Sequence, residues 1–143
     1  MFLPVARPFI IVFLLLITFP LLNCSVKLDE SNARKLMEDV FKARKAGSFR
    51  KEFTLYAKED FEIVPFEEVS GTLQTIVASA GRFKSAKHRQ TKISRRNQLG
   101  KGLVNYVVLT YLVTYSNMQL EESYYFVGES TVPKLVYLTL QYP

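Results

Sequence analysis

The sequence predicts an α+β domain in which N-terminal helices pack on a curved four-stranded antiparallel sheet. Apolar residues recur at helical spacing as far as Ala80, whereas the apolar pattern has a period of two from Phe83 onward. Turn residues separate the strand-like runs at short intervals, which is typical of hairpins. Helices that precede a run of hairpin-linked strands favour a helical layer on one side of the sheet.

The first expected helix has apolar residues at the i, i+3, i+4, i+7 and i+8 positions of one face. These residues are Ala33, Leu36, Met37, Val40 and Phe41. Asp29 or Ser31 can cap the start of this helix, and Gly47 can end it.

Two further helices are expected before the sheet. Residues 48–57 space Phe49, Phe53 and Tyr56 along one side, which indicates a short second helix. A third helix is expected at residues 66–80, where Gly71 costs about 1 kcal/mol relative to Ala. Gly81 then ends it.

Four strands are expected, at residues 84–96, 103–115, 118–127 and 135–142, with turns at 116–117 and 128–133. The second strand is rich in β-branched and aromatic residues on both alternating sets. This composition is typical of a central strand that is covered on both sides.

Residues 1–23 have the pattern of a signal sequence, with Arg7 ahead of an uncharged apolar run. This run is about 15 residues long and contains Pro20, whereas a spanning helix needs about 20 apolar residues. An uncleaved anchor is the alternative. Removal of the leader leaves a single domain at residues 33–143 and lowers the net charge from +6 to +5.

The residues Leu21, Leu22, Asn23 and Cys24 at the end of the leader resemble the lipobox of bacterial lipoproteins. The resemblance implies that the Cys24 thiol receives a diacylglycerol and that residues 24–32 are the lipidated cysteine and a tether. The protein would then be exported and membrane-anchored in the cell envelope, on the periplasmic or outer-membrane face. The alternative is an incidental cysteine beside an ordinary cleavage site.

The stretch from Arg82 to Lys101 contains no acidic residue. Seven of its cations are candidate anion-binding residues: Arg82, Lys84, Lys87, Arg89, Lys92, Arg95 and Arg96. Like charges this close must be solvated or neutralised by an anion. Strict alternation would place Lys84, His88, Lys92 and Arg96 on one face and Lys87, Arg89 and Arg95 on the other.

Two interpretations of this stretch are open. It is either a solvated edge strand, whose lysines deter aggregation, or a contact site for anionic lipid headgroups, envelope glycans or an envelope protein. Nucleic acid is disfavoured as a partner, because few aromatic residues interleave with the cations.

The order of elements, with GRFKS at 81–85, VVLTYLVTYSN at 107–117 and SYYFVGE at 123–129, resembles the nuclear transport factor 2-like or cystatin-like superfamily. The resemblance implies a sheet that wraps a cone-shaped pocket. Candidate pocket residues are Tyr111, Tyr115, Tyr124 and Phe126. A dry aromatic cone would favour ligand or partner binding, whereas a buried carboxylate or histidine in a polar pocket would favour a small pocket enzyme.

Few residues are candidates for catalysis. His88, the single histidine, lies in the charged first strand, where we expect it to be exposed. Glu121 and Glu122 fall on opposite faces of the third strand, and a solvated edge position is expected rather than an inward base. Because the sequence has no metal-ligand spacing and no phosphate-binding loop, we assign no catalytic residue, metal or cofactor and interpret the domain as a binding module.

Overall fold

A computed structural model describes residues 30–61, 64–98, 100, 102–127 and 132–143. Its helices are α1 (Glu30–Lys45), α2 (Phe49–Phe53), a 3-10 helix (Lys58–Asp60) and α3 (Phe66–Ala80). Its strands are β1 (Phe83–Gln98), β2 (Gly102–Tyr115), β3 (Gln119–Val127) and β4 (Lys134–Gln141). The strands form one antiparallel sheet in the order β1-β2-β3-β4, which confirms the α+β prediction. The signal sequence and Cys24 lie outside the described residues.

The end of α1 is the one expected from Gly47. This glycine has φ +71°, and its N–H donates to the Arg44 carbonyl at 2.9 Å. The Ser48 N–H donates to the Ala43 carbonyl at 3.1 Å, so the last carbonyls of the helix are paired in a Schellman-type closure. At the other end, residues 30–32 are helical although we expected them in the tether, and Ser31 lies inside α1 instead of capping it.

The second helix is shorter than residues 48–57. The Ser48 hydroxyl accepts from the Lys51 N–H at 3.3 Å and caps α2, which ends at Phe53. The ring of Phe53 lies 5.7 Å from that of Phe49 and 5.6 Å from that of Tyr56. The expected aromatic side of this segment is therefore present although regular helix covers only half of it.

The third helix has the expected bounds, and Gly81 ends it with φ +89°. A Cβ on Gly81 would lie 2.0 Å from the Ser116 side-chain oxygen, so this position requires glycine for space as well as for backbone conformation. Gly71, in contrast, is exposed inside α3, and a Cβ there would meet nothing within 4 Å.

The main core lies between the helices and one side of the sheet, which we call the helix face. It includes Met37 and Val40 of α1, Leu73 of α3, and Leu109 and Phe126 of the sheet. A smaller cluster on the opposite side, the far face, consists of Tyr106, Val108, Tyr125 and Val136. Because directly paired residues share a side of the sheet, the strand register assigns the other residues to the two faces.

No helix among the described residues is both long and apolar enough to cross a bilayer.

Replacing Gly71 by Ala should raise the free energy of unfolding by about 0.5–1 kcal/mol, because alanine reduces the chain entropy lost on helix formation and meets no neighbour here. The matched control, Gly81→Ala, should lower it, since the new methyl group collides with Ser116. Urea denaturation of both variants measures the difference. Equal effects of the two substitutions would contradict the assigned helix end.

Candidate functional site

The seven candidate anion-binding residues are concentrated on an outer strand of the sheet. Arg82 precedes β1 and the other six lie within it. Six of the seven side chains are exposed, and Arg96 is half-buried. No carboxylate among the described residues forms an ion pair with any of them. Within the described part of the chain, this edge of the domain therefore carries positive charge that no carboxylate pairs with.

Two bulges determine which way these cations face. The register shifts at Lys84, between Phe83 and Ser85, and again at Arg89, between His88 and Gln90. Each bulge inserts one unpaired residue and so reverses the alternation that follows. The expected face assignment was wrong for this reason, because strict alternation assumes no inserted residue.

The resulting arrangement places three cations in a row on the far face. Lys87, Lys92 and Arg96 pair with Leu112, Val108 and Val104 of β2. Each step of the row spans four β2 residues, or about 13 Å.

The histidine and one arginine of β1 lie on the helix face. His88 pairs with Tyr111, and Arg95 pairs with Asn105. The helix face of β1 is therefore less basic than the far face.

Arg96 is held in place by two aromatic rings of the far face. Its guanidinium carbon lies 4.9 Å from the ring centroid of Tyr125 and 5.9 Å from that of Tyr137. A guanidinium N–H also donates to the Tyr125 hydroxyl at 3.5 Å. Cation–π contact of this kind orients the charge while leaving it available to an anion.

The start of α1 lies against the middle of β1. The Glu30 carboxylate accepts from the Arg34 guanidinium at 2.7 Å and from the Thr91 hydroxyl at 2.9 Å. These two hydrogen bonds, with the Arg34 bond the stronger influence, hold the pKa of Glu30 below its usual value. The point where the chain enters the domain is therefore attached to the basic strand.

His88 belongs to this junction and is half-buried, so its expected exposure was wrong. One imidazole nitrogen lies 3.0 Å from the Thr91 hydroxyl, and the Arg34 guanidinium lies 3.1 Å from the same ring. The ring also packs edge-on against Tyr111, with centroids 5.4 Å apart. These contacts give His88 a place in the packing of α1 on β1.

A buried charged network lies under the helices. Arg44 of α1 forms a two-point ion pair with Glu52 of α2, using its Nε and one terminal nitrogen. Its other terminal nitrogen donates to Glu122 of β3 at 2.6 Å and to the Tyr115 hydroxyl at 2.8 Å. Glu52 and Glu122 are 0% exposed and Arg44 is 4% exposed.

Three tyrosines complete this network. The Tyr56 hydroxyl donates to Glu52 at 2.7 Å, and the Tyr115 and Tyr124 hydroxyls donate to Glu122. Burial raises the pKa of each hydroxyl well above 10, and the adjacent carboxylates act in the same direction. For Arg44, burial acts against the charged form, but Tyr124 and the two carboxylates raise the pKa of the guanidinium overall.

Sequence reasoning correctly placed Glu121 and Glu122 on opposite faces, but the expected solvated position was wrong for Glu122. It missed Arg44 and Glu52 altogether. Arg44 continues the buried α1 stripe of Met37 and Val40 at helical spacing, and that signal was available. A cation at a core position predicts a buried partner for it.

The four candidate pocket residues are all buried in the main core. Phe41 of α1 packs edge-on against Tyr111 at 5.0 Å and against Tyr124 at 5.9 Å. Tyr115 and Tyr124 direct their hydroxyls to Glu122. Helix α1 therefore covers the three tyrosines, and a ligand that touched their rings would have to displace it.

A cavity of about 520 Å³ opens where α1 and α3 end, lined partly by Phe49, Val77 and Phe83. Lys45 and Arg82 also line it. The carbonyl ends of two helices carry partial negative charge, which offsets these two cations. The cavity is therefore less suited to an anion than the exposed face of β1.

No protein-family model, curated protein or solved structure matches this chain. Within the described ranges, no group of three or more histidine, cysteine, aspartate or glutamate residues could hold a metal ion. The lipobox and superfamily resemblances therefore stay predictions.

Replacing Arg44 by Met should lower the free energy of unfolding by about 3–5 kcal/mol, because two buried carboxylates lose their counter-charge. Urea denaturation at neutral pH measures the loss.

The control is Lys45→Met, which removes the exposed neighbouring cation and should change stability by less than about 0.5 kcal/mol. An Arg44→Met loss no larger than that of Lys45→Met would contradict the proposed charge balance.

Proposed function

We propose that this chain is an exported, lipid-anchored protein of the bacterial cell envelope whose domain binds anionic lipid headgroups through β1. The observation that carries the proposal is the junction of Glu30 with Thr91, because it joins the start of the domain to the basic strand. A chain that is anchored at Cys24 would enter the domain beside the cations of β1. Strand β1 would then lie close to the membrane surface.

The reach of the tether makes this argument quantitative. Six peptide steps separate Cys24 from Glu30, and a fully extended chain covers about 20 Å in that number of steps. A strand of 16 residues is about 50 Å long. The tether is thus much shorter than β1, so part of the strand stays near the bilayer in any orientation.

The row of Lys87, Lys92 and Arg96 supports contact with a flat anionic surface. The three cations share the far face of one strand, and Arg96 is already oriented by Tyr125 and Tyr137. Each cation near an anionic leaflet contributes about 1 kcal/mol to the free energy of membrane binding. Ordering of the side chain before binding reduces the entropy lost on contact.

A role of β1 as a protected edge is compatible with this proposal. Cations on an outer strand deter pairing with other chains, which explains their exposure but not their alignment on the far face. Glu122 does not favour the pocket enzyme, because Arg44 and two tyrosines already occupy its oxygens.

We also propose that the domain belongs to the nuclear transport factor 2-like or cystatin-like superfamily, because its elements follow the same order along the chain.

Residues 25–143 should bind vesicles that contain phosphatidylglycerol and leave neutral phosphatidylcholine vesicles unbound. Replacing Lys87, Lys92 and Arg96 by Glu should weaken binding by at least about 3 kcal/mol, or a hundredfold or more, since three favourable charges are lost and three unfavourable charges are added. Sedimentation at low salt measures the affinity, and added salt should reduce it.

The matched control replaces Lys35, Lys42 and Lys51, which are exposed on the helices, by Glu. It changes the net charge equally, so a similar loss would assign binding to overall charge instead of β1. Equal binding to neutral and anionic vesicles would refute headgroup contact. Tighter binding to a soluble polyanionic glycan than to vesicles would indicate that β1 binds envelope glycans instead of lipid headgroups.

Lipid attachment has its own test. Cells that express the full chain should incorporate a fatty-acid analogue into it, and Cys24→Ser should abolish both the label and stable membrane association, because a diacyl anchor is lost. Labelling followed by membrane fractionation measures both. A Cys24→Ser protein that is still labelled and still membrane-bound would rule out this anchor.

A further inference from the structure

The second outer strand, β4, has an open backbone edge. On the side away from β3, the Leu135 carbonyl accepts from the Ala57 N–H at 3.0 Å. Beyond Leu135, no described element forms a backbone hydrogen bond with this side of β4. Within the described ranges, the outer backbone of about six residues of β4 therefore has no strand partner.

The two edges of the sheet differ sharply in their protection. β1 contains six of the basic residues and two bulges. β4 has a single charge, Lys134 at its first position, and its one register shift lies near that same end. Charges and bulges are the devices by which edge strands avoid pairing, so β4 lacks what β1 has in excess.

A groove that is lined by both apolar and polar side chains, including Glu68 and Thr72, borders the open edge on the helix face. A cavity of about 410 Å³ lies between α3 and β4, and its apolar side chains include Val69, Ile76, Leu138 and Leu140. Side chains of a strand added beside β4 would enter this groove at every second position. Val132 and Tyr142, which flank β4, are 71% and 77% exposed. Apolar surface thus continues beyond both ends of the strand.

We infer that β4 pairs in antiparallel fashion with β4 of a second copy of this chain. The pairing is isologous, so each copy inserts its own Leu138 and Leu140 beside the groove of the other. The antiparallel arrangement places Lys134 of each copy near the uncharged end of the other strand. No like charges face each other along the seam.

A second copy supplies both an almost uncharged strand with leucines on the groove side and a matching groove, and the electrostatic arrangement does not oppose it. The pairing produces an eight-stranded sheet in which the two β1 strands are the outermost, about 34 Å apart. This distance is about four Debye lengths at physiological salt, so repulsion between the basic edges is screened. The two far faces lie on the same side of the continuous sheet. This inference is independent of the anchor and of headgroup binding.

Thr139 offers a charge-swap test near the middle of the open edge. It lies on the far face, half-buried, opposite Ser123 of β3. In the full chain, solubilised in mild detergent, Thr139→Lys or Thr139→Glu alone should weaken the dimer about tenfold, because like charges meet across the seam. An equimolar mixture of the two variants should restore dimerisation. Light scattering with correction for detergent measures the mass.

Ser94→Lys and Ser94→Glu are the matched controls, since Ser94 is half-buried on the far face of β1. They should leave the dimer unchanged. If the Thr139 variants fail to fold, light scattering of the wild-type chain over a range of concentrations still decides whether a dimer forms. A monomeric wild-type chain, a dimer that neither Thr139 variant weakens, or a mixture that stays monomeric would overturn the inference. A monomer that forms a stable complex with a different protein through β4 would also overturn it.

Discussion

Arg44 connects α1 to three other elements through hydrogen bonds made by its guanidinium. It extends from α1 to Glu52 of α2 and Glu122 of β3, and it also donates to Tyr115 of β2. Desolvation of an ion costs several kcal/mol, and a charged group in the core is tolerated only where its hydrogen bonds are satisfied. Within the described residues no buried side-chain nitrogen or oxygen lacks a partner, so this condition is met. The network therefore specifies one position for the end of α1.

The opposite end of α1 is fixed by a different and weaker contact. The Glu30 and Arg34 side chains are 44% and 39% exposed, so their ion pair contributes only a few tenths of a kcal/mol. The hydrogen bond to Thr91 adds a directional link to β1. Because Arg44 already determines the path of the helix, a modest contact suffices to place Glu30 against the strand. The buried network at the end of α1 therefore also places the start of the domain next to the basic strand.

The bulge at Arg89 decides how the basic strand can be used. Without it, alternation from His88 would turn Lys92 and Arg96 toward the helix face and Thr91 away from α1. With it, Thr91 pairs with Leu109 on the helix face, and Lys92 pairs with Val108 on the far face. One inserted residue therefore separates the residues that pack on α1 from the cations that face outward. It also increases the local twist of an edge strand, which opposes aggregation.

The regular parts of the fold could be predicted from the sequence because each depends on local chemistry. The bounds of α3 follow from apolar spacing and from Gly81, and the hairpin of β2 and β3 follows from the turn at Ser116 and Asn117. The bulges could not be predicted, because nothing in the residue types near Arg89 distinguishes an inserted residue from a paired one. The burial of Glu122 depends on Arg44, which lies far away in the sequence on α1. The alternating pattern of a strand gives no information about such a partner.

Under the proposed function, the anchor and the cations would have different tasks because their free energies differ in scale. A diacyl anchor contributes about 0.8 kcal/mol for each buried methylene, and so well over 10 kcal/mol in total. The three far-face cations contribute about 3 kcal/mol together. Attachment would therefore survive loss of the cations, whereas the orientation of the domain would not. A preference of 3 kcal/mol favours one orientation by about a hundredfold, which is enough to present the same surface of the domain to its surroundings nearly all the time.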